Sequence, residues 1–246
     1  MNTQNQNSKL QDKRIILMGG TSGIGLATAK AAAEEGAQVI VVSSSQQRVD
    51  SALVELPEST AGYAVDLSKE QNIKAFFDGI GSFDHLVYTA AENISLIYVN
   101  DLELGKAHDY FNLRYWGALA SIKYGAPHIN QGGSISLMSG IANPRPGSGW
   151  LLGASICGAI EGLTRAMAVE LAPVRVNAVS AGVVKTNLWN SIPETDREAY
   201  YKTVGDALLV KRVGEAEDIA QAFTYLMKQQ FTTGQILITD GGTVLV

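Results

Sequence analysis

The apolar run Arg14-Ile15-Ile16-Leu17-Met18 breaks at Gly19-Gly20-Thr21-Ser22-Gly23-Ile24-Gly25 and resumes as an alanine-rich segment closed by Gly36. Few folds accept that order. A short strand, a glycine turn and a small-residue helix bring backbone close to an anion: the glycines remove side chains that would block it, and the helix start offers amides and partial positive charge. A glycine turn alone is a weak sign. Directly after the first strand, with three residues between Gly19 and Gly23, it is a strong one for a nucleotide pyrophosphate.

The rest of the chain repeats the same rhythm. Runs rich in β-branched residues at 15–18, 38–43, 62–65, 85–89, 134–138, 174–179 and 235–239 read as strands. Segments at 24–35, 69–79, 104–126, 151–171 and 217–228 have helical spacing. Alternation of this kind predicts an α/β fold: a single-domain, Rossmann-like, doubly wound sheet of seven parallel strands with helices on both faces. With 246 residues, 46% hydrophobic and 17% charged, one core suffices. The expected domain is 13–246, after a polar tail at 1–12. Residues 187–214, with Trp189, Pro193, Tyr200 and Tyr201, interrupt the rhythm just past a strand end. They read either as a substrate lid or as a helical excursion on the surface.

Charge and termini narrow the partners. A net charge of −5 and a pI near 5.2, without clustered Lys or Arg, speak against a nucleic-acid partner. Residues 1–10 are rich in Asn and Gln and resemble neither a signal peptide nor a membrane span, so a cytoplasmic protein without a membrane partner is expected. Cys157 is the one cysteine, which excludes an internal disulfide, and no Cys/His cluster points to a metal.

The stretch Gly158-Ala159-Ile160-Glu161-Gly162-Leu163-Thr164-Arg165-Ala166-Met167-Ala168 and its continuation through Arg175-Val176-Asn177-Ala178-Val179 closely resemble the short-chain dehydrogenase/reductase family. Gly234-Gln235-Ile236-Leu237-Ile238-Thr239-Asp240-Gly241-Gly242 is similar to that family's last strand. The resemblance implies a nicotinamide dinucleotide, a small-molecule substrate and a homo-oligomer, dimer or tetramer, to which the low-charge segment 151–160 would contribute. It implies that Gly19, Thr21, Ser22, Gly23, Ile24 and Gly25 hold the pyrophosphate, with Met18 where the family has threonine. Asp66-Leu67 would meet the adenine, although Asp66 also suits a helix cap. Tyr88-Thr89-Ala90-Ala91 partly matches the family's Asn-Asn-Ala-Gly, placing Thr89, Ala90 and Ala91 beside the cofactor. Ala181-Gly182-Val183-Val184-Lys185-Thr186 resembles the loop along the nicotinamide, giving contacts from Gly182, Val184 and Thr186. The second strand ends in Ser43-Ser44-Ser45, with Arg48 beyond, where NAD-using members carry an acid. Serines tolerate a 2′-phosphate that a carboxylate would repel, so NADP(H) is favoured over NAD(H), unless the serines only end the strand.

The proton machinery does not follow. Family members exchange the substrate proton through a tyrosine whose phenol, ordinarily near pH ~10, is lowered by a lysine four residues on. Aligned on Gly158-Ala159-Ile160-Glu161-Gly162-Leu163, the lysine position holds Cys157, the tyrosine position Gly153 and the serine position Gly140; aligned on Gly117, the asparagine position holds Arg114. Residues 127–176 contain neither tyrosine nor lysine, so no shift of register restores the pair. Losing general acid catalysis costs about 10²–10⁴-fold, roughly 3–5 kcal/mol of barrier. Arg114 and Ser139 remain the candidate catalytic residues, against an ion pair for the first and a strand end for the second. Tyr88, Tyr115, Trp116 and Trp150 supply either aromatic walls or core, and Cys157 reads as a small packed hydrophobe. The expected function is hydride transfer with an acceptor needing little acid catalysis, such as an iminium or a conjugated electrophile. The alternative is a nucleotide-binding pseudoenzyme, a sensor or partner subunit.

Overall fold

The computed structural model describes residues 9–246. Its elements run β1 (Arg14–Met18), α1 (Gly23–Glu34), β2 (Gln38–Ser43), α2 (Gln46–Val54), β3 (Ala61–Ala64), α3 (Glu70–Ile80), β4 (Phe83–Tyr88), α4 (Leu104–Phe111), α5 (Gly117–Gly125), β5 (Ile129–Gly140), α6 (Leu151–Glu170), β6 (Arg175–Ala181), α7 (Glu194–Ala207), α8 (Ala216–Lys228) and β7 (Ile236–Thr239). The seven strands form one sheet in the order β3-β2-β1-β4-β5-β6-β7, every pairing parallel. Strand order reverses between β1 and β4, which opens a crevice beyond their carboxyl ends.

Two-residue periodicity divides the core. Ile16, Met18, Ile40 and Val42 pack with Phe76 and Phe77 of α3, Ile122 of α5 and Ile156 and Ile160 of α6. Their sequence neighbours Ile15, Leu17, Val39 and Val41 face the opposite way, onto Ala29 and Ala32 of α1 and Phe223 and Leu226 of α8. β1 and β2 are therefore buried on both sides over most of their length, which is why their sequences are nearly continuously apolar rather than alternating. A third cluster, built on Trp189, Tyr201 and Val213, sits apart from these.

Several boundaries differ from the sequence reading. Leu10 is fully buried in the second cluster, so the expected tail at 1–12 does not extend to residues 9–12; residues 1–8 lie outside the described ones. α2 has no counterpart among the expected helices, because its first turn is Gln-Gln-Arg and only Val49 and Ala52 are buried. The helix expected over 104–126 is interrupted at Asn112–Trp116 by a wide, π-helical turn. β5 starts at Ile129 rather than 134 and continues to Gly140. Within 187–214 the chain forms a short turn at Asn187–Trp189 and then α7. α6 is long and apolar enough to cross a membrane by length and composition, and here it packs on β5 and β6.

Candidate active site

The chain leaves β1 through Gly19, whose φ of +90° is a left-handed conformation that only glycine adopts without strain. A side chain at Gly19 would come within 2.6 Å of the Ala90 nitrogen, and one at Gly25 within 2.2 Å of the Gly19 oxygen. The turn is thus packed directly on the segment after β4, where the Thr89 hydroxyl donates to the Met18 carbonyl at 3.2 Å. α1 starts at Gly23 with an extended Ser22, no side-chain cap and no acid in its first turn. Its amides and positive end are left to an external anion, which fits a dinucleotide pyrophosphate. A side chain at Gly23 would lie 3.3 Å from Cβ of Thr186, so the loop after β6 closes against the start of α1. Val184 is buried and bridges to Gly214, and a side chain at Gly182 would come within 2.8 Å of Asp240 Cα.

At the end of β2, Ser43 is buried, Ser44 is exposed and Arg48 is exposed in the first turn of α2. Ser45 caps α2, its hydroxyl accepting from Arg48 N at 3.5 Å while keeping its own proton to donate. Asp66 accepts from the Ser68 amide at 2.9 Å and the Ser68 hydroxyl at 2.7 Å. Those bonds hold its carboxyl below the usual range and close a local turn before α3, whose N-cap is Lys69 rather than Asp66. Leu67 belongs to the first core cluster.

Beyond β4, Tyr88 is buried and its hydroxyl donates to the Leu113 carbonyl at 2.5 Å, in the wide turn; burial raises its pKa. A π-helical turn frees carbonyls from the regular ladder, and Tyr88 satisfies one of them. The same turn carries Arg114. Its Nε donates to Glu92 Oε2 at 3.2 Å and its Nη2 to the Glu92 carbonyl, while the guanidinium lies 5.0 Å from the Tyr110 ring centroid. Arg114 is therefore ion-paired, but to the loop after β4 rather than along its own helix. Burial raises the Glu92 carboxyl and Arg114 opposes that rise. The Cys157 thiol is also pushed up by burial, with the Ser139 hydroxyl and the Arg114 charge among the opposing influences.

The Ser139 hydroxyl, near the end of β5, is buried and donates to the Cys157 carbonyl at 3.4 Å and to Glu161 at 3.3 Å, and it also reaches the Cys157 thiol. Glu161 is itself buried and accepts from Asn143 at 2.7 Å. At Gly140 a side chain would lie 3.3 Å from the Cys157 sulfur. At Gly153 a side chain would lie 3.2 Å from the Trp150 ring, so the indole packs directly beside that position. Trp150 meets Trp189 edge-on, with centroids 6.3 Å apart, and Trp189 packs on Tyr200 and Tyr201. A strap at 92–97 ties these parts together: Ile94 N donates to Leu188 O at 3.0 Å and Ile97 N to Gly149 O at 2.9 Å. Tyr115 is edge-on to an exposed Trp116 on the far side of the helix, so of the expected aromatic walls Trp150 is the one beside Gly153.

Sequence reasoning missed Glu92 and Tyr110. Glu92 follows the cofactor-flanking segment directly, and a carboxylate at that point was the one available signal. Among the described residues no three His, Cys, Asp or Glu side chains are grouped to hold a metal.

A glycine cradle at the switch point of a parallel, doubly wound sheet defines a dinucleotide-binding protein. Residues 19–244 match the family described as Enoyl-(Acyl carrier protein) reductase. The chain is 33% identical over 259 residues to the short-chain dehydrogenase/reductase ucsE of Acremonium sp, covering 96% of this chain and 97% of that protein. It is 31% identical to fsr5 of Gibberella fujikuroi, over 97% of each. Among solved structures it superposes on a small-chain dehydrogenase in complex with NADPH, with TM-score 0.83, 34% identity and coverage of 96% and 100%. It superposes on the MalC reductase/Diels-Alderase of Malbranchea aurantiaca with TM-score 0.90, 28% identity and coverage of 98% and 99%. The chain belongs to the short-chain dehydrogenase/reductase family, a family of oxidoreductases.

Proposed function

We propose that this protein is an NADP(H)-dependent oxidoreductase with a non-standard active site, transferring hydride to or from a small organic substrate that needs little acid catalysis. An iminium and a conjugated electrophile both qualify. One observation carries the reading: the cradle is intact while the proton-handling positions hold Gly153 and Cys157, the first packed beside Trp150. Bound in the crevice, a reduced nicotinamide supplies hydride. A cationic carbon that takes hydride becomes neutral and requires no proton. A ketone builds an alkoxide and requires one.

The preference for NADP(H) is supported by Ser44 and Arg48 at the end of β2, by the missing carboxylate there and by the NADPH complex of a relative. Gly19, Thr21, Ser22, Gly23, Ile24 and Gly25 would hold the pyrophosphate, with Thr89, Ala90, Ala91 and Thr186 flanking. Residues 187–214 would act as the lid, an assignment supported by the packing of Trp189 against Trp150. A relative named as a reductase/Diels-Alderase and a matched family named for enoyl reduction are in keeping with a conjugated or cationic acceptor. The protein is further read as a cytoplasmic homo-oligomer acting on a small molecule.

NADPH absorbance followed across ketone, iminium and enone panels tests this. Iminium or enone turnover with ketones at least about 10²-fold slower is expected. Robust reduction of simple ketones overturns it. Tight NADP binding by calorimetry without turnover of any acceptor would establish the second reading, a nucleotide-binding pseudoenzyme, which the ion-paired state of Arg114 favours.

A further inference from the structure

Trp189 is buried, and its indole needs a partner for the N–H it takes out of water. That partner is the Val184 carbonyl, at 3.0 Å. Val184 bridges in parallel to Gly214, through Lys185 N to Gly214 O and Gly214 N to Val183 O, both at 2.9 Å. In such a bridge the residue's own N–H and C=O point away from its partner, so Trp189 grips the loop from the side opposite Gly214. Tyr201 of α7, equally buried, sets its hydroxyl against the Thr186 backbone amide. The Trp189 and Tyr201 rings meet edge-on, with centroids 6.4 Å apart. Thr186 itself accepts from Leu188 N at 3.4 Å and lies against Gly23. Two aromatic side chains from 187–214 thus hold the backbone of 184–186 from one side.

That backbone stands on the side of the crevice towards which a dinucleotide extends its reactive end. Ser44 and Arg48 follow β2, the glycine turn follows β1, and the sheet continues through β4 and β5 to β6. With the phosphorylated ribose at β2 and the pyrophosphate at α1, the second ring runs towards β6. We propose that Trp189 and Tyr201 are positioning residues for the nucleotide: they fix the Val184–Thr186 backbone as a preformed bed for the nicotinamide ring. The inference rests on the oxidoreductase reading above and adds to it, since 187–214 then serves the nucleotide as well as covering the acceptor. One ring joins the two duties, because Trp189 also meets Trp150, which packs beside Gly153. A preformed bed lowers the ordering cost of binding and fixes the ring relative to that wall.

The test compares two probes on the full-length protein by calorimetry: NADP+ and 2′-phospho-ADP-ribose, which keeps the phosphorylated ribose and the pyrophosphate and lacks the nicotinamide. The unaltered protein should bind NADP+ more tightly. Trp189→Phe keeps a ring in the cluster and removes the N–H, and Tyr201→Phe removes only the hydroxyl. Each should weaken NADP+ by about 3–10-fold and leave the fragment unchanged. The fragment occupies the glycine cradle, so its affinity also reports correct folding. Amide exchange without nucleotide supplies a second readout, with residues 183–187 exchanging faster in each variant. A ratio of the two affinities that stays unchanged in one variant removes that residue from the proposal, and an unchanged ratio in both overturns it while the oxidoreductase reading stands. So does a fragment that binds the unaltered protein as tightly as NADP+. If the unaltered protein binds neither probe, the oxidoreductase reading itself fails and takes the proposal with it.

Discussion

The β1–α1 half of the crevice and the β5–α6 half are built on one sheet, yet they hold their identity by different means. At the first, the requirement falls on backbone: Gly19 and Gly25 leave no room for a Cβ, so the sequence shows its function as missing side chains. At the second, the family's requirement falls on side-chain chemistry, and Gly140, Gly153 and Cys157 can replace it without disturbing a single strand pairing. The vacated volume is not left hollow. Trp150 lies on Gly153 and the Cys157 thiol lies by Gly140, which preserves the packing that a core of this density demands. A backbone site is thus costly to lose and a side-chain site is easy to exchange.

The hardest blow to this contrast falls on the first half. Gly25→Val should drive its side chain into the Gly19 carbonyl and the Thr89 hydroxyl, weakening NADPH binding by about 10³-fold, roughly 4 kcal/mol, in calorimetric titration. Retained affinity would show that the cradle is not where the nucleotide docks. The second half should respond to chemistry instead. Gly140→Ser with Gly153→Tyr and Cys157→Lys should leave ketone reduction at background, because the Trp150 indole packs against residue 153 and must shift for any side chain there. Adding Trp150→Ala should raise ketone reduction by about 10²-fold or more, measured as NADPH consumption. A gain without the Trp150 change would mean that the indole does not guard that position.

These two halves were also unequally legible in the sequence. Nearly continuous apolar runs announced β1 and β2, because strands buried on both faces leave few polar positions to confuse the pattern. The glycine turn was legible for the same reason, since its function is written in residue type and spacing. α2 was not, because a helix that buries only Val49 and Ala52 carries almost no periodic signal. The absence of Tyr and Lys could be read directly, but what stands in their place could not. Glu92 and Arg114 are 22 residues apart and meet only because β4 ends beside the wide turn, and strand alternation does not reveal that Glu161 lies opposite Ser139.

The seam between the halves has its own test. His85 of β4 pairs in register with Ile15 of β1 and with Ser134 of β5, and its Nδ1 lies 2.8 Å from the Ser134 hydroxyl. Burial above all, and then the Arg175 charge, push its imidazolium down to about 4 from an ordinary 6.5, against the opposite pull of Asp84. A depressed folded pKa means that the unfolded chain takes up the proton first, so this stability is fully present above about pH 6.5 and is lost as pH falls towards about 4. The gap amounts to about 3 kcal/mol. Denaturant midpoints measured across that window should decline in the unaltered protein and decline less in His85→Gln. Equal slopes would place the acid sensitivity elsewhere.

The smallest effect gives the sharpest comparison, since it repeats the glycine substitution on the other half. Gly162 lies on the exposed face of α6, and a Cβ there meets nothing within 4 Å. Glycine inside a helix is roughly 0.5–1 kcal/mol worse than alanine, so Gly162→Ala should stabilise the isolated chain by about that much and raise its Tm by about 2–4 °C. NADPH affinity should not move, in contrast to Gly25→Val. A lowered Tm that depends on protein concentration would mean that this face of α6 is covered in solution, because a methyl group can be harmful there only if a second subunit already fills the space.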